Sequence, residues 1–192
     1  MKYQICTDMD GVLCDFVKGA MVAMNDAMAN PTKYDEEIQT MVLAVKEELG
    51  KELVDKEDFN IGTKNRATRK LLKALVKDNR EFWANLDWNP GGREIWDAIK
   101  DHKPYILSAP MDHSEECAAG KRDWIAKNLT PAPERIILDE DKWKYTKFDG
   151  RRGVLIDDMW FNVRDYRDKG GVAIYHRALP VTLRLIGYYA GK

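Results

Sequence analysis

The sequence predicts an α/β fold in which a parallel sheet forms the core and a helical cap is inserted after the first strand. Five short apolar segments are bounded by turn or charged residues, as buried strands are. Helical patterns separate most of them, and such alternation indicates a parallel sheet covered by helices on both faces. About a hundred residues separate the first strand from the second, far more than one crossover helix needs, which indicates the insertion.

The individual elements follow from the spacing of apolar residues. Buried strands are predicted at 3–7, 104–108, 135–138, 153–156 and 171–175. Core helices are predicted at 94–100, 114–128 and 161–169. Stripes of apolar side chains at helical spacing predict further helices in the insertion, at 17–29, 35–49 and 68–76. We therefore expect an α/β core made of residues 1–16 and 88–192, and a helical cap made of residues 17–87.

The composition is that of a globular protein in water, with 44% hydrophobic and 33% charged residues among 192. A net charge of −1 gives no global attraction to nucleic acid or to a membrane. The three cysteines have no paired short spacing, which favours reduced thiols over a disulfide frame or a zinc site. The sequence shows neither a secretion signal nor a run near the ~18 apolar residues of a membrane span. We expect a cytoplasmic protein without a membrane partner.

Two acidic pairs follow predicted strands. Asp8 and Asp10 come directly after the first strand, beside Gly11, which permits a tight turn. The fourth strand ends at Asp157 and Asp158. Either pair alone is compatible with an ordinary acidic turn. However, the carboxyl ends of parallel strands line the crevice where ligands bind, and adjacent acids repel unless a cation compensates. Two such strand ends in one chain favour a site for a hard cation.

Three more polar positions accompany these acids. Ser108 ends the second predicted strand, where a hydroxyl either donates to a phosphate oxygen or only forms a turn. Lys121 lies within the apolar stripe of the following helix, so we favour an anionic partner over a stem that runs along the surface to water. After the third strand, spacing alone does not choose among Lys142, Lys144 and Lys147.

In chain order, these residues resemble the four motifs of the haloacid dehalogenase superfamily of phosphotransferases. The matching residues are Asp8 with Asp10, then Ser108, then Lys142, and finally Asp157 with Asp158. The resemblance covers the whole core. It implies a Rossmann-like parallel sheet core of the haloacid dehalogenase type, with a helical cap inserted just after the first motif.

Four segments, 8–16, 106–110, 121–125 and 155–158, are similar to the 5′(3′)-deoxyribonucleotidases within that superfamily. Ser108 stands where a threonine is usual. This resemblance implies that Ser108, Ala109, Lys121 and Lys142 contact the substrate phosphate. Its third-motif lysine follows an aspartate, which selects Lys142, although the longer loop here keeps Lys144 as a candidate.

Three aromatic residues are candidates for contact with the rest of the substrate. Phe16 corresponds to the phenylalanine that stacks on the base in the deoxyribonucleotidases. Phe82 and Trp83 lie where the predicted cap returns to the core. Their position is compatible with a substrate pocket and equally with packing at the hinge.

The resemblance implies a magnesium-dependent phosphatase that acts on (deoxy)nucleoside monophosphates. Asp8 would attack phosphorus and form an aspartyl-phosphate. Asp10 would protonate the leaving oxygen and then activate the hydrolytic water. Mg²⁺ would be held by the Asp8 carboxylate, the Asp10 main-chain carbonyl, Asp157 and Asp158, with Asp158 in direct contact.

Two other functions remain open. Basic residues between positions 64 and 80 are compatible with a phosphatase that acts on polynucleotide ends, although a solvated helix face is the simpler explanation. An inactive phosphate-binding module is less favoured, because every catalytic residue type is present. We expect a small-molecule nucleotide partner and do not favour nucleic acid. The sequence indicates neither the base nor the oligomeric state.

Overall fold

The computed structural model describes residues 2–50, 53 and 55–191. Met1, Lys192 and positions 51, 52 and 54 of the predicted cap lie outside the described residues. The strands are β1 (Tyr3–Thr7), β2 (Tyr105–Ser108), β3 (Arg135–Leu138), β4 (Lys147–Phe148), β5 (Arg151–Asp157) and β6 (Val172–Tyr175). The α-helices are α1 (Phe16–Ala29), α2 (Glu36–Leu49), α3 (Lys56–Gly62), α4 (Arg66–Val76), α5 (Arg80–Ala84), α6 (Gly92–Ile99), α7 (Glu115–Asn128), α8 (Trp160–Asp168) and α9 (Leu179–Ala190).

The six strands of the described chain form one sheet, in which β1 lies between β2 and β5. Five strands run parallel in the order β3-β2-β1-β5-β6, and the short β4 pairs antiparallel with the start of β5. The predicted α/β fold with a parallel sheet is confirmed. Because the five strands share one direction, the carboxyl ends of β1, β2, β5 and β6 meet at one edge of the sheet.

Helices cover both faces of the sheet because successive strand side chains point to opposite sides. Ile5 and Val154 belong to the larger core cluster, which includes Ile186 of α9. Cys6 and Leu155 belong to the smaller cluster on the other face, with α8. None of the described helices is long and apolar enough to cross a membrane.

Five helices, α1–α5, lie between β1 and α6 in the chain, where the insertion was predicted. Polar caps fix their starts: the Asp15 carboxylate accepts from the Lys18 N–H at 3.0 Å, and Asp35 accepts from Ile38 at 2.8 Å. Helix α2 ends at Gly50, whose φ of 63° is the left-handed conformation that glycine adopts freely. Within the insertion, α1 packs against α2, α3 and α4. The boundaries of the cap at 17 and 87 stay a prediction.

Candidate active site

The loop after β1 is a tight turn built around one carbonyl. The backbone N–H groups of Val12, Leu13 and Cys14 all donate to the Met9 oxygen, at 3.2, 2.7 and 2.9 Å. Gly11 has a φ of 72°, and a Cβ at this position would overlap the Asp158 carboxylate. Both the backbone conformation and the close approach therefore require glycine. The turn brings the residues that follow β1 against those that follow β5.

The chain leaves this loop and returns to it along adjacent paths. The Asp15 N–H donates to the Asp87 carbonyl at 2.8 Å, and the Asn89 N–H donates to the Leu13 carbonyl at 2.8 Å. The Asn89 side chain also donates to the Gly11 carbonyl at 3.0 Å. The segment that returns from the insertion, which includes Asp87 and Asn89, thus supports the turn that carries Asp8 and Asp10. Sequence reasoning missed Asn89, because an asparagine between helices looks like an ordinary turn residue.

Three carboxylates meet where β1 and β5 end. Asp8, Asp157 and Asp158 each offer an oxygen, and these oxygens lie within 4.8 Å of one another. Asp8 and Asp157 are buried, and Asp158 is half-buried. The Asp10 carboxylate lies outside this group and contacts Lys121 instead. The three carboxylates that the sequence analysis assigned to the metal lie together here, and it assigned Asp10 to the metal through its main-chain carbonyl.

Lys142 bridges two of these carboxylates. Its Nζ lies 2.7 Å from Asp8 Oδ2 and 2.7 Å from Asp157 Oδ2, and the side chain is only 3% exposed. Burial alone would lower the pKa of Lys142, but the two carboxylates outweigh it and raise this pKa. Lys144 is 47% exposed and contacts Asp139 and Asp141. Of the two candidate lysines, Lys142 is the one beside Asp8.

The two buried acids respond differently to this environment. Burial raises the pKa of Asp8, but the charges of Lys142 and Lys121 outweigh burial, and the pKa lies below its ordinary value. Burial and the neighbouring Asp8 charge raise the pKa of Asp157, despite its contact with Lys142. One lysine cannot compensate two buried carboxylates fully. The surroundings therefore favour the ionised form of Asp8 more strongly than that of Asp157.

A second buried lysine lies on the other side of Asp8. Ser114 caps α7 by accepting from the Cys117 N–H at 3.1 Å, and this helix carries Lys121. Lys121 Nζ lies 2.5 Å from Asp10 Oδ2 and 2.9 Å from Ser108 Oγ, with 1% of the side chain exposed. Burial lowers its pKa, but the charges of Asp10 and Asp8 raise it above the ordinary value. Ser108 also hydrogen-bonds to the Asp8 carboxylate. Ala109, which follows it, is half-buried.

The three predicted aromatic residues form one cluster beside Lys121. Phe16 stacks on Trp83 with centroids 5.4 Å apart and planes 12° from parallel, and Phe82 meets both rings edge-on. Trp83 is buried, and its indole N–H donates to the Val76 carbonyl at 2.7 Å. The centre of its ring lies 5.1 Å from Lys121 Nζ. These contacts favour the packing role of Trp83 over a pocket role. Phe16 and Phe82 are only partly buried.

Asn162 is a further residue at this site that sequence reasoning missed. Its amide nitrogen, on α8, lies 3.0 Å from Asp157 Oδ2 and 3.2 Å from Oδ1. The Met159 N–H also donates to Asp157 Oδ1, at 2.8 Å. These donors hold the Asp157 carboxylate toward Asp8. The sequence did contain a signal for Asn162, because this amide lies in the first turn of the helix that follows an acidic strand end.

At least three of the seven basic residues between positions 64 and 80 make contacts within the protein. The Arg69 guanidinium donates to the Thr63 and Lys64 carbonyls, at 2.8 and 2.6 Å. Lys73 pairs with Asp112, and Arg80 pairs with Asp123 at 2.6 Å. These charges tie helices and loops together, which weakens their case as a track for a phosphate backbone.

The donor set fits a divalent hard cation. The group consists of carboxylate oxygens alone, the ligands that Mg²⁺ prefers. Three carboxylates with one bridging lysine leave an excess of negative charge in a largely buried place. The raised pKa of Asp157, which comes from burial and from Asp8, is the mark of that excess. A bound cation would relieve it.

The fold of this chain is similar to that of solved hydrolase structures. No protein-family model and no curated protein matches the sequence. Among solved structures, a hydrolase from Streptococcus pneumoniae TIGR4 has a TM-score of 0.52 at 12% identity, covering 97% of this chain and 100% of its own. The HAD-hydrolase YfnB from Bacillus subtilis, solved with bound magnesium, has a TM-score of 0.51 at 15% identity, covering 91% of this chain and 87% of its own. The chain has the haloacid dehalogenase-like fold.

Proposed function

We propose that this protein is a magnesium-dependent phosphomonoesterase that hydrolyses (deoxy)nucleoside monophosphates through an aspartyl-phosphate formed on Asp8. One observation carries the proposal. The Asp8 carboxylate is buried and ionised at the end of β1, between Lys142 and the pair formed by Lys121 and Ser108. A buried anionic nucleophile between two cations is the arrangement that attack on a phosphate dianion requires, because the cations offset the repulsion between the reactants.

The first chemical step belongs to Asp8. A carboxylate oxygen attacks phosphorus, the bond to the ester oxygen breaks, and an aspartyl-phosphate forms. Lys121, Lys142 and the Ser108 hydroxyl contact the phosphoryl oxygens, where most of the stabilisation in phosphoryl transfer is available. The Ala109 main chain, next to Ser108, lies at the same strand end and is the remaining candidate for a phosphate contact.

Proton transfer belongs to Asp10. In the absence of substrate its carboxylate is paired with Lys121. An incoming phosphate engages Lys121, and in the proposed mechanism the Asp10 carboxyl then carries the proton for the leaving group. Asp10 donates that proton to the leaving oxygen, then takes one from the water that attacks the aspartyl-phosphate.

Asp8, Asp157 and Asp158 are the residues that would hold Mg²⁺, together with the Asp10 main-chain carbonyl that the family resemblance implies. The ion would supply positive charge that stabilises the phosphoryl oxygens as charge develops on them. Asn162 and Lys142 keep the Asp157 carboxylate turned toward Asp8. The Bacillus subtilis HAD-hydrolase was solved with bound magnesium, which supports magnesium as the ion by analogy.

The nucleotide part of the proposal rests on Phe16. Trp83 stacks on one face of its ring, which fixes the ring plane at the start of α1 without burying the residue fully. A fixed, partly exposed ring next to a phosphate site suits a nucleobase. Phe82, edge-on to Phe16, borders the same place.

A turnover screen tests the proposal. Nucleoside 5′- and 3′-monophosphates, with deoxyribose and ribose, are compared with a small aryl phosphate and a sugar phosphate, each with Mg²⁺. We expect the highest kcat/KM for a nucleotide, and no turnover of any substrate by the Asp8→Asn variant. An amide at this position cannot act as the nucleophile. A sugar phosphate preferred over every nucleotide would refute the substrate class, and an active Asp8→Asn variant, with deamidation excluded, would refute the mechanism.

A further inference from the structure

Three consecutive large apolar residues are exposed directly after the carboxylate pair of β5. Met159, Trp160 and Phe161 are 43%, 53% and 50% exposed. Isolated exposed apolar residues are ordinary, but a run of three at a helix start is unfavourable in water unless something covers it. The run follows Asp158 directly in the chain, so it begins next to the candidate active site.

Two more side chains extend the run along the same edge of the sheet. The Trp160 ring lies 5.6 Å from the Tyr175 ring, with an angle of 56° between the planes. The Arg177 guanidinium lies 5.1 Å from the centre of the Tyr175 ring. Tyr175 is the last residue of β6 and pairs in register with Asp157. We call Trp160, Tyr175 and Arg177 the outer platform.

The outer platform and the Phe16 cluster lie on opposite sides of Asp8. The platform follows β5 and β6, whereas Lys121 and Trp83 pack on the side of Ser108, at the end of β2. In the order β2-β1-β5-β6, the end of β6 is two strands from Asp8, or about 10 Å at the usual strand spacing. A nucleobase stacked on the outer platform would therefore lie next to the phosphate site. Its position would be separate from that of a nucleobase stacked on Phe16.

We propose that the outer platform binds the second nucleobase of a substrate that carries two nucleotides and one terminal phosphate. The inference rests on the proposed function and extends its substrate class from mononucleotides to dinucleotides. Aromatic faces stack on any base, and a guanidinium beside them attracts the connecting phosphate. An aliphatic protein partner would not need this combination of rings and cation at the edge of a phosphate site.

The test compares two substrates that differ only in the second nucleotide. The kcat/KM values of a deoxynucleoside monophosphate and of the dinucleotide with the same terminal phosphate are measured for the wild type. They are also measured for Trp160→Ala, Trp160→Phe and Tyr188→Ala. Tyr188 is a ring on α9 that is also 53% exposed, and it serves as the matched control. Dinucleotide binding to Asp8→Asn is measured by calorimetry, with and without Trp160→Ala.

We expect the wild type to prefer the dinucleotide by roughly 5- to 150-fold, the range that one stacked base supplies. Trp160→Ala should bring the ratio of the two kcat/KM values, dinucleotide over mononucleotide, near one and leave kcat/KM for the mononucleotide unchanged. Trp160→Phe should retain part of this preference for the dinucleotide. Tyr188→Ala should retain all of it. A wild-type ratio near one, or a ratio indifferent to Trp160→Ala, overturns the inference. The inference is also overturned if Trp160→Ala changes only the oligomeric state of the protein, because the exposed residues 159–161 would then form a contact between two copies of the chain. If neither substrate is hydrolysed but Trp160-dependent dinucleotide binding persists, the proposed function fails and the platform stands.

Discussion

Lys142 Nζ lies 2.7 Å from Oδ2 of Asp8 and 2.7 Å from Oδ2 of Asp157, so one buried ammonium joins the ends of two neighbouring strands. This lysine comes from the short 3-10 helix Lys142–Tyr145, which follows β3. The relationship links catalysis to stability, because the same contact orients the nucleophile and compensates two buried charges.

Replacement of Lys142 should therefore affect both properties. Lys142→Met is expected to lower kcat by about 100- to 1000-fold, the usual effect of losing one charge-stabilising group. Without Mg²⁺ it should lower the free energy of unfolding by about 3–5 kcal/mol, because two carboxylates lose their buried partner. Steady-state kinetics and urea unfolding measure the two effects.

Lys144→Met is the matched control. Its exposed pairs with Asp139 and Asp141 should contribute only about 0.2–1 kcal/mol, and kcat/KM should not change. Equal losses of activity in the two variants would show that the third-motif lysine has been assigned wrongly.

Magnesium should stabilise the protein through the three clustered carboxylates. At a concentration of about 100 times Kd, a ligand of the folded state adds about 2.7 kcal/mol, or about 5–10 °C in Tm for a domain of this size. Asp158→Asn should reduce this shift, whereas Asp168→Asn, at an exposed position of α8, should keep it. If millimolar Mg²⁺ leaves the Tm unchanged and the protein keeps full activity in the presence of a chelator, the assignment of these residues as metal ligands is contradicted.

Phe16→Ala should separate nucleotides from other phosphate esters. Loss of stacking of ~1–3 kcal/mol should lower kcat/KM for a nucleotide by roughly 5- to 150-fold. A small aryl phosphate, which has no base, should be hydrolysed almost as before. If both substrates lose activity equally, Phe16 supports the fold of the loop and does not contact the base.

The three cysteines should react slowly in the folded protein. All of them are buried, and burial raises the pKa of each thiol, to about 11 for Cys117. Since the thiolate is the reactive form, a disulfide reagent at pH 8 should label them far more slowly than in denaturant, and the rate for Cys117 should keep rising as the pH approaches 11. Rapid labelling of the native protein at pH 8 would contradict this burial.

The sequence predicted the five parallel strands, because burial on both faces of a sheet leaves a continuous apolar run, and it predicted the three helices of 14 residues, α1, α2 and α7. It missed β4 and α5, with two and five residues, since such short elements show no period. It also missed α3 and the mostly apolar α9, whose pattern lacks a clear polar face.

At the candidate site, strand ends identified Asp8 and Asp157, because parallel strands bring their carboxyl ends together wherever loops lead. Spacing left Lys142 and Lys144 open, since a loop residue's direction depends on the turn it adopts. Trp83 was equally ambiguous, because its burial results from contact with α7, a helix far away in the chain. Local patterns do not contain such contacts.

The stereochemistry at phosphorus tests the central claim, two successive displacements through Asp8, most directly. A nucleoside phosphorothioate made chiral at phosphorus by two oxygen isotopes is hydrolysed in water that carries the third, and the configuration of the released inorganic thiophosphate is determined. Each in-line displacement inverts phosphorus, so attack by Asp8 followed by attack of water predicts net retention. Net inversion would mean that water attacks the substrate directly, and it would contradict the aspartyl-phosphate mechanism.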